Sequence, residues 1–382
     1  MSASDDRKGN DSRFRERLRN HGIRRIVVKI GSSILALPNQ GLNTATIESI
    51  SSQIASLRED GVEILLVSSG AIASGILKLG LKEPPRTLPL KQAVAAAGQS
   101  HLIRAYEKFF EAHDTHVAQI LLTHEDLRDR RRYLNARTTL LTLIELGTIP
   151  IINENDTVAV DEIRFGDNDT LSAQVASLMD ADLLLILTDT DGLYDTDPGA
   201  GGNPRLISSV PEVTAEVEQL AGARPGVLGT GGMVTKIRAA KAMSQAGGFT
   251  VIANGREEGI ITRVLSGELV GTLFLPTEKP LRSRKHWILH TLRPRGEITV
   301  DDGAKEALVR HGKSLLPSGV VDVRGSFTFG DAVSCLGQDL REFARGLVNY
   351  SARDLAKIKG AHTDSIESIL GRKDYDEVIH RD

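Results

Sequence analysis

The chain is poor in features that mark secreted, disulfide-stapled or membrane proteins. It has a single cysteine, Cys335, in 382 residues, which rules out an internal disulfide framework and fits a reducing cytoplasm. That thiol lies in the apolar stretch AVSCL and reads as a small buried hydrophobe. No apolar run reaches the roughly 18 residues that a membrane-spanning helix needs. The first twenty residues are highly charged with no apolar centre, so they are no secretory signal. Residues 1–22 are instead expected to be a disordered or loosely docked arm. A formal net charge of −3 gives no reason to expect a dedicated nucleic-acid or membrane-surface binder. There is no GxxxxGK[ST] segment, and GTGGMV fails the GxGxxG pattern at Val234. Neither a P-loop nor a standard dinucleotide site is therefore expected. HExxH and paired CxxC patterns are missing too, so no protein-built metal site is predicted.

What is present is a rhythm. Apolar runs at 24–30, 62–69, 115–123, 148–155, 181–189 and 248–254 alternate with helical stretches such as Thr46–Asp60, Leu90–His113, Asn135–Leu146 and Asp169–Met179. The runs are apolar continuously, as in strands buried on both faces of a parallel sheet. The predicted fold class is α/β, an open, mostly parallel sheet sandwiched by helices, over residues 23–276. A polar, basic linker (277–284) follows. Short strand-like pieces then mark a small β-rich module at 285–371, with 372–382 as a tail.

Five segments at the ends of predicted strands carry candidate chemistry, where open α/β sheets bind ligands. Lys29-Ile-Gly31-Ser32-Ser33 offers a cation beside backbone that can approach a phosphate, or a solvated lysine at a turn. Ser68-Ser69-Gly70-Ala71 opens a helix and suits an anion, or is simply a cap. Ile152–Thr157 (INENDT), with Gly166-Asp167-Asn168-Asp169, concentrates carboxylates and amides that would suit the two ends of an amino acid; Asp169 alone could be a helix cap. Thr188-Asp189-Thr190-Asp191-Gly192-Leu193 is a turn that can contact a nucleotide. Gly229–Lys236 (GTGGMVTK) is a loop whose N–H groups can wrap phosphates and whose end delivers Lys236. None of the five segments contains a histidine, cysteine or tyrosine near its glycines to act as an obvious general base. A carboxylate acceptor would need none, since with a pKa near 4.3 it is already ionised at neutral pH.

In this order, VVKIGSS, SSGAI, INENDTV, GDND, LLLILTDTDGLY and GTGGMVTK resemble the motifs of the amino acid kinase family. The likeness is greatest to its glutamate-phosphorylating branch. GEITVDDGAKEAL and SLLPSGV are similar to the PUA domain that many bacterial members of that branch carry. The resemblance implies that Lys29 and Lys236 stabilise charge on a transferring phosphoryl group, with Asp169 holding the two lysines between them. It implies ATP binding by Lys29, Thr188, Asp189, Thr230, Gly231, Gly232, Met233, Val234, Thr235 and Lys236. Ser69, Asp156 and Asn168 would bind L-glutamate, and Mg²⁺ would arrive on the nucleotide. It further implies feedback inhibition by proline, a glutamyl phosphate reductase as pathway partner, and a homo-oligomer. Pro38-Asn39-Gln40 departs from the family pattern in the loop after the first strand. N-acetylglutamate and aspartate remain alternative acceptors. RNA remains an alternative partner through the C-terminal module and the basic residues Arg282, Arg284, Lys285, Arg293 and Arg295.

Overall fold

In a computed structural model, residues 3–37, 41–159, 168–196, 198–199, 203–221, 232–277 and 294–380 are described. Two units emerge, Met1–Ser283 and Arg284–Asp382. The expected linker, the loop at 38–40 and most of the basic residues named above lie outside the described residues.

The first unit begins with α1 (Ala3–Asn20), β1 (Arg25–Ile30) and the single turn α2 (Ser32–Leu35). The short pair β2 (Ala36–Leu37) and β3 (Gly41–Leu42) leads to α3 (Thr44–Glu59), capped by the Asn43 side chain. Next come β4 (Glu63–Ser68), α4 (Ala71–Lys78), α5 (Leu88–Glu111) and β5 (Val117–Leu122). The helices α6 (His124–Arg128) and α7 (Arg130–Glu145) precede β6 (Ile149–Glu154), α8 (Asn168–Leu178) and β7 (Leu183–Thr188). The unit closes with β8 (Ser209–Val210), α9 (Ala215–Leu220), α10 (Met233–Ala246), β9 (Phe249–Asn254), α11 (Ile260–Leu265) and β10 (Thr272–Phe274). Eight strands form one sheet in the order β5-β6-β4-β1-β7-β9-β10-β8. Pairing is parallel from β5 through β9, and β10 runs antiparallel to β9.

All six predicted strands of the α/β region are present. In β1, β4, β6, β7 and β9 nearly every residue is buried, because helices cover both faces. Separate apolar clusters lie on either side, one containing Ile26, Val28 and Leu185, the other Val27, Leu184 and Ile186. β5 departs from the expectation. It is an edge strand with several residues half-exposed, which its continuous apolar run did not foretell.

Two further expectations are corrected. Of the two readings of the N-terminal arm, disorder is corrected: α1 is a docked helix whose Leu18 is wholly buried and whose Arg15 is 1% exposed. The Arg15 guanidinium donates to the carbonyls of Gly271 (2.9 Å) and Ser208 (3.2 Å) at the β8–β10 edge. In the second unit, β11 (Gly296–Val300), β12 (Val320–Gly325), β13 (Ala332–Leu336) and β14 (Glu342–Leu347) form a sheet in the order β12-β11-β13-β14. The segment expected to be a tail belongs to this unit's core. Val378 and Ile379 are buried, and Ile379 bridges to Leu315 and Val348. Cys335 sits in β13 as predicted, 2% exposed, and burial pushes its thiol up to about 12.

α4 and α5 cross with almost no room between them. A Cβ on Gly98 would lie 1.8 Å from the Ala71 carbonyl oxygen, so glycine alone permits this approach. We expect Gly98→Ala to destabilise the chain by about 3 kcal/mol, the upper range for overpacking. Chemical denaturation against the parent protein checks it.

Candidate active site

The carboxyl ends of β1, β4, β6 and β7 meet the amino ends of α8 and α10. Lys29 is the fifth residue of β1, Asp169 the second of α8 and Lys236 the fourth of α10. The structure brings them together. Lys29 Nζ lies 2.7 Å from Asp169 Oδ1, and Lys236 Nζ donates to Asp169 Oδ2 at 3.1 Å. The Thr235 hydroxyl donates to the same Oδ2 at 2.6 Å. All three charged groups are buried, Asp169 completely.

Their electrostatics follow from that burial. Desolvation alone would raise the Asp169 carboxyl, but the two ammonium groups and the hydrogen bonds from Lys29 and Thr235 outweigh it and hold it below the usual range. For Lys236, burial lowers the ammonium despite the opposing pull of Asp169, and the neighbouring charge of Lys29 lowers it further. One carboxylate between two cations leaves an excess positive charge facing the ends of the strands. Such a site suits a multiply charged anion.

The other predicted nucleotide residues lie around this cluster. Thr188 ends β7, nearly buried, and its hydroxyl donates to Asp189 Oδ1 at 3.2 Å. The charge of Asp189 is felt by Lys236. Gly232 precedes α10, and Met233, Val234 and Thr235 form that helix's first turn, where the Thr235 N–H bonds to the Gly232 carbonyl at 3.1 Å and the N–H groups before it have no intrahelical acceptor. Thr230 and Gly231 lie outside the described residues.

A second cluster adjoins the first through α8. Asn168 Nδ2 donates to Ser69 Oγ (2.9 Å) and to Asn153 Oδ1 (3.0 Å). Ser69 follows β4, and Gly70 makes the turn into α4 at φ 102°, a conformation that favours glycine. Beneath it, Ser68 Oγ lies 2.9 Å from the buried Tyr106 hydroxyl of α5. Asp156 stands apart, with no hydrogen bond to Ser69 or Asn168 among the described residues. Burial, with Glu154 adding repulsion, raises its carboxyl to about 7. Asn153, Gln99 and Tyr106 were not predicted as site residues. Asn153 lay inside the INENDT stretch, whereas Gln99 and Tyr106 come from a helix that had no strand-end signal.

Among the described residues no three histidine, cysteine, aspartate or glutamate side chains group to hold a metal ion, and the site's central carboxylate is taken up by lysines. No described helix is long and apolar enough to cross a membrane.

The sequence comparisons identify the family. The family model for the amino acid kinase family matches residues 24–254, which contain Lys29, Asp169 and Lys236. The chain belongs to the amino acid kinase family. A kinase of this family uses ATP. The PUA domain model matches residues 296–370, the second unit's sheet and most of its helices. Two relatives named glutamate 5-kinase align over nearly full length. The one from Geobacter sp. (strain M21) is 52% identical over 360 residues, covering 94% of this chain and 96% of the relative. That from Geobacter metallireducens is 54% identical with the same coverage.

Replacing Asp169 with asparagine would leave two buried ammonium groups without their counter-charge. We expect Asp169→Asn to cost about 3–5 kcal/mol of stability, as for breaking other buried pairs. Because the Asp169 carboxyl is lowered on folding, its contribution is fully present above the unfolded value. It is lost as the pH falls through the folded one. Acid unfolding of the variant should thus lose that component of the parent's pH dependence.

Proposed function

We propose that the chain transfers the γ-phosphoryl group of ATP to the γ-carboxylate of L-glutamate, giving L-glutamyl 5-phosphate as the first step of proline biosynthesis. The observation that carries the reading is the meeting of Lys29 and Lys236 on the buried Asp169 carboxylate, beside the amide-rich cluster of Ser69 and Asn168. The names of the relatives supply the acceptor.

Phosphoryl transfer asks a protein mainly for positioning and charge stabilisation. Lys29 and Lys236 neutralise the oxygens of the transferring group, and Asp169 fixes the separation and direction of the two ammonium groups. Thr188, Asp189 and the residues from Thr230 to Lys236 hold the nucleotide, the first turn of α10 offering N–H groups to its phosphates. Ser69, Asp156 and Asn168 hold the amino acid, with Asp156 facing its ammonium group. The attacking carboxylate needs no general base, since it is ionised at neutral pH. Mg²⁺ would enter on the nucleotide and neutralise charge between its phosphates, a task that suits a site whose own carboxylate is committed to lysines.

Further parts of the proposal rest on the family resemblance. They are a cytoplasmic homo-oligomer, feedback inhibition by proline, and a glutamyl phosphate reductase that consumes the acyl phosphate.

A hydroxamate-trapping assay with ATP and a panel of L-glutamate, N-acetylglutamate and aspartate tests the activity. Turnover is expected with L-glutamate. Turnover only with another acid would overturn the acceptor. Lys236→Ala should lower kcat by about 10²–10³, the scale of losing one charge-stabilising donor. Since Asp156 is protonated below about 7, the KM for glutamate should rise as the pH drops through that value. Asp156→Asn should raise KM and flatten this dependence; an unchanged pH profile would remove Asp156 from ammonium binding.

A further inference from the structure

The amide side chains below the second cluster have a polarity that the backbone dictates. Glu154 N–H can only donate, and it donates to Asn153 Oδ1 at 2.8 Å. That bond identifies the oxygen end of the Asn153 amide, so its Nδ2 is the donor reaching Gln99 Oε1 at 2.9 Å. The same Asn153 oxygen accepts from Asn168 Nδ2. One backbone N–H thus sets the orientation of three side-chain amides, which are otherwise free to flip.

The arrangement is secluded as well as ordered. Asn153 is 4% exposed and Gln99 is 8% exposed. At the two ends of the chain, Gln99 Nε2 and Asn168 Oδ1 are buried with no hydrogen-bond partner among the described residues. Leaving such groups unpaired is costly. A network kept despite that cost invites a functional explanation. Asn168 also reaches Ser69 Oγ, so the network ends on two of the residues assigned to the amino acid.

We propose that Gln99 is a positioning residue for the amino-acid substrate, acting through Asn153 to hold Asn168 in one amide orientation. Its Oε1 occupies the Asn153 donor, which leaves Asn153 Oδ1 fixed toward Asn168. Asn168 must then present its nitrogen to Asn153 and Ser69, and its carbonyl oxygen stays uncommitted. Without the Gln99 acceptor, the buried Asn153 nitrogen is left unpaired and only the Glu154 N–H still orients the amide to which Asn168 donates. The consequence falls on recognition of the amino acid and not on the nucleotide, because Lys29, Lys236 and Asp169 make no bond to this network. This inference rests on the glutamate kinase reading above.

The test is steady-state kinetics of the full chain carrying Gln99→Leu or Gln99→Glu, with thermal unfolding of each. Gln99→Leu should raise the KM for L-glutamate about tenfold, the scale of one lost hydrogen bond. Its kcat and its KM for ATP should stay near the parent's. Gln99→Glu keeps an acceptor oxygen for Asn153 and should recover most of the loss; Gln99→Met, which removes the acceptor with little change of shape, replaces the leucine variant if that fails to fold. An unmoved glutamate KM in the leucine variant, or in the methionine variant that replaces it, would overturn the proposal. So would a parallel loss of kcat, ATP affinity and thermal stability, which marks a merely structural role. A parent protein that does not turn over L-glutamate would remove the kinase reading and this inference with it; a parent that does, with unmoved variants, removes only this inference.

Discussion

The structure depends on keeping one carboxylate and two ammonium groups together in a place where water cannot pay their hydration. Burying an ion alone is prohibitive, and a buried pair only offsets that cost when its geometry is good. Asp169 meets this condition with both oxygens engaged, by Lys29 on one side and by Lys236 and Thr235 on the other. The three elements that carry them are distant in sequence. The sheet order, with β1 at its centre between β4 and β7, and the packing of α8 against both β1 and α10 bring them together. The fold and the site are in this sense one constraint. The excess positive charge that remains is what an incoming polyphosphate would neutralise.

Beside this charged centre lies a neutral one. Asn168 and Asp169 are adjacent at the start of α8, yet they face different partners, amides and a serine for the first and lysines for the second. A helix start that serves two clusters sets them one residue apart on the same turn. That is a physical reason for an acceptor and a phosphoryl donor to be held in register.

Much of this was legible in the residues. The β-branched runs located every strand of the parallel region, because strands buried on both faces must be apolar throughout. The strand-end segments pointed to Lys29, Asp169 and Lys236, which the structure brings together, and to Ser69 and Asn168, which share a hydrogen bond. What stayed hidden was hidden for identifiable reasons. Among its described side chains, the buried face of α1 consists of little more than Phe14, Leu18 and Arg15, too few apolar positions to show a helical period among so many charges. Val378 and Ile379 form a two-residue apolar step in a charged tail, shorter than any pattern can reveal. Gln99 sits on α5 among alanines and glycine, and its importance comes from a partner 54 residues away. β5 read as fully buried because a run of apolar residues does not tell an edge from a centre.

The central claim is that Lys29 and Lys236 act on the same phosphoryl group. A double-mutant cycle on kcat, with Lys29→Met, Lys236→Met and the pair in the same chain, tests it most directly. If both ammonium groups serve one transition state, the double variant should be scarcely slower than the worse single variant. Losses that multiply, each lysine costing the same whether or not the other is present, would contradict the account.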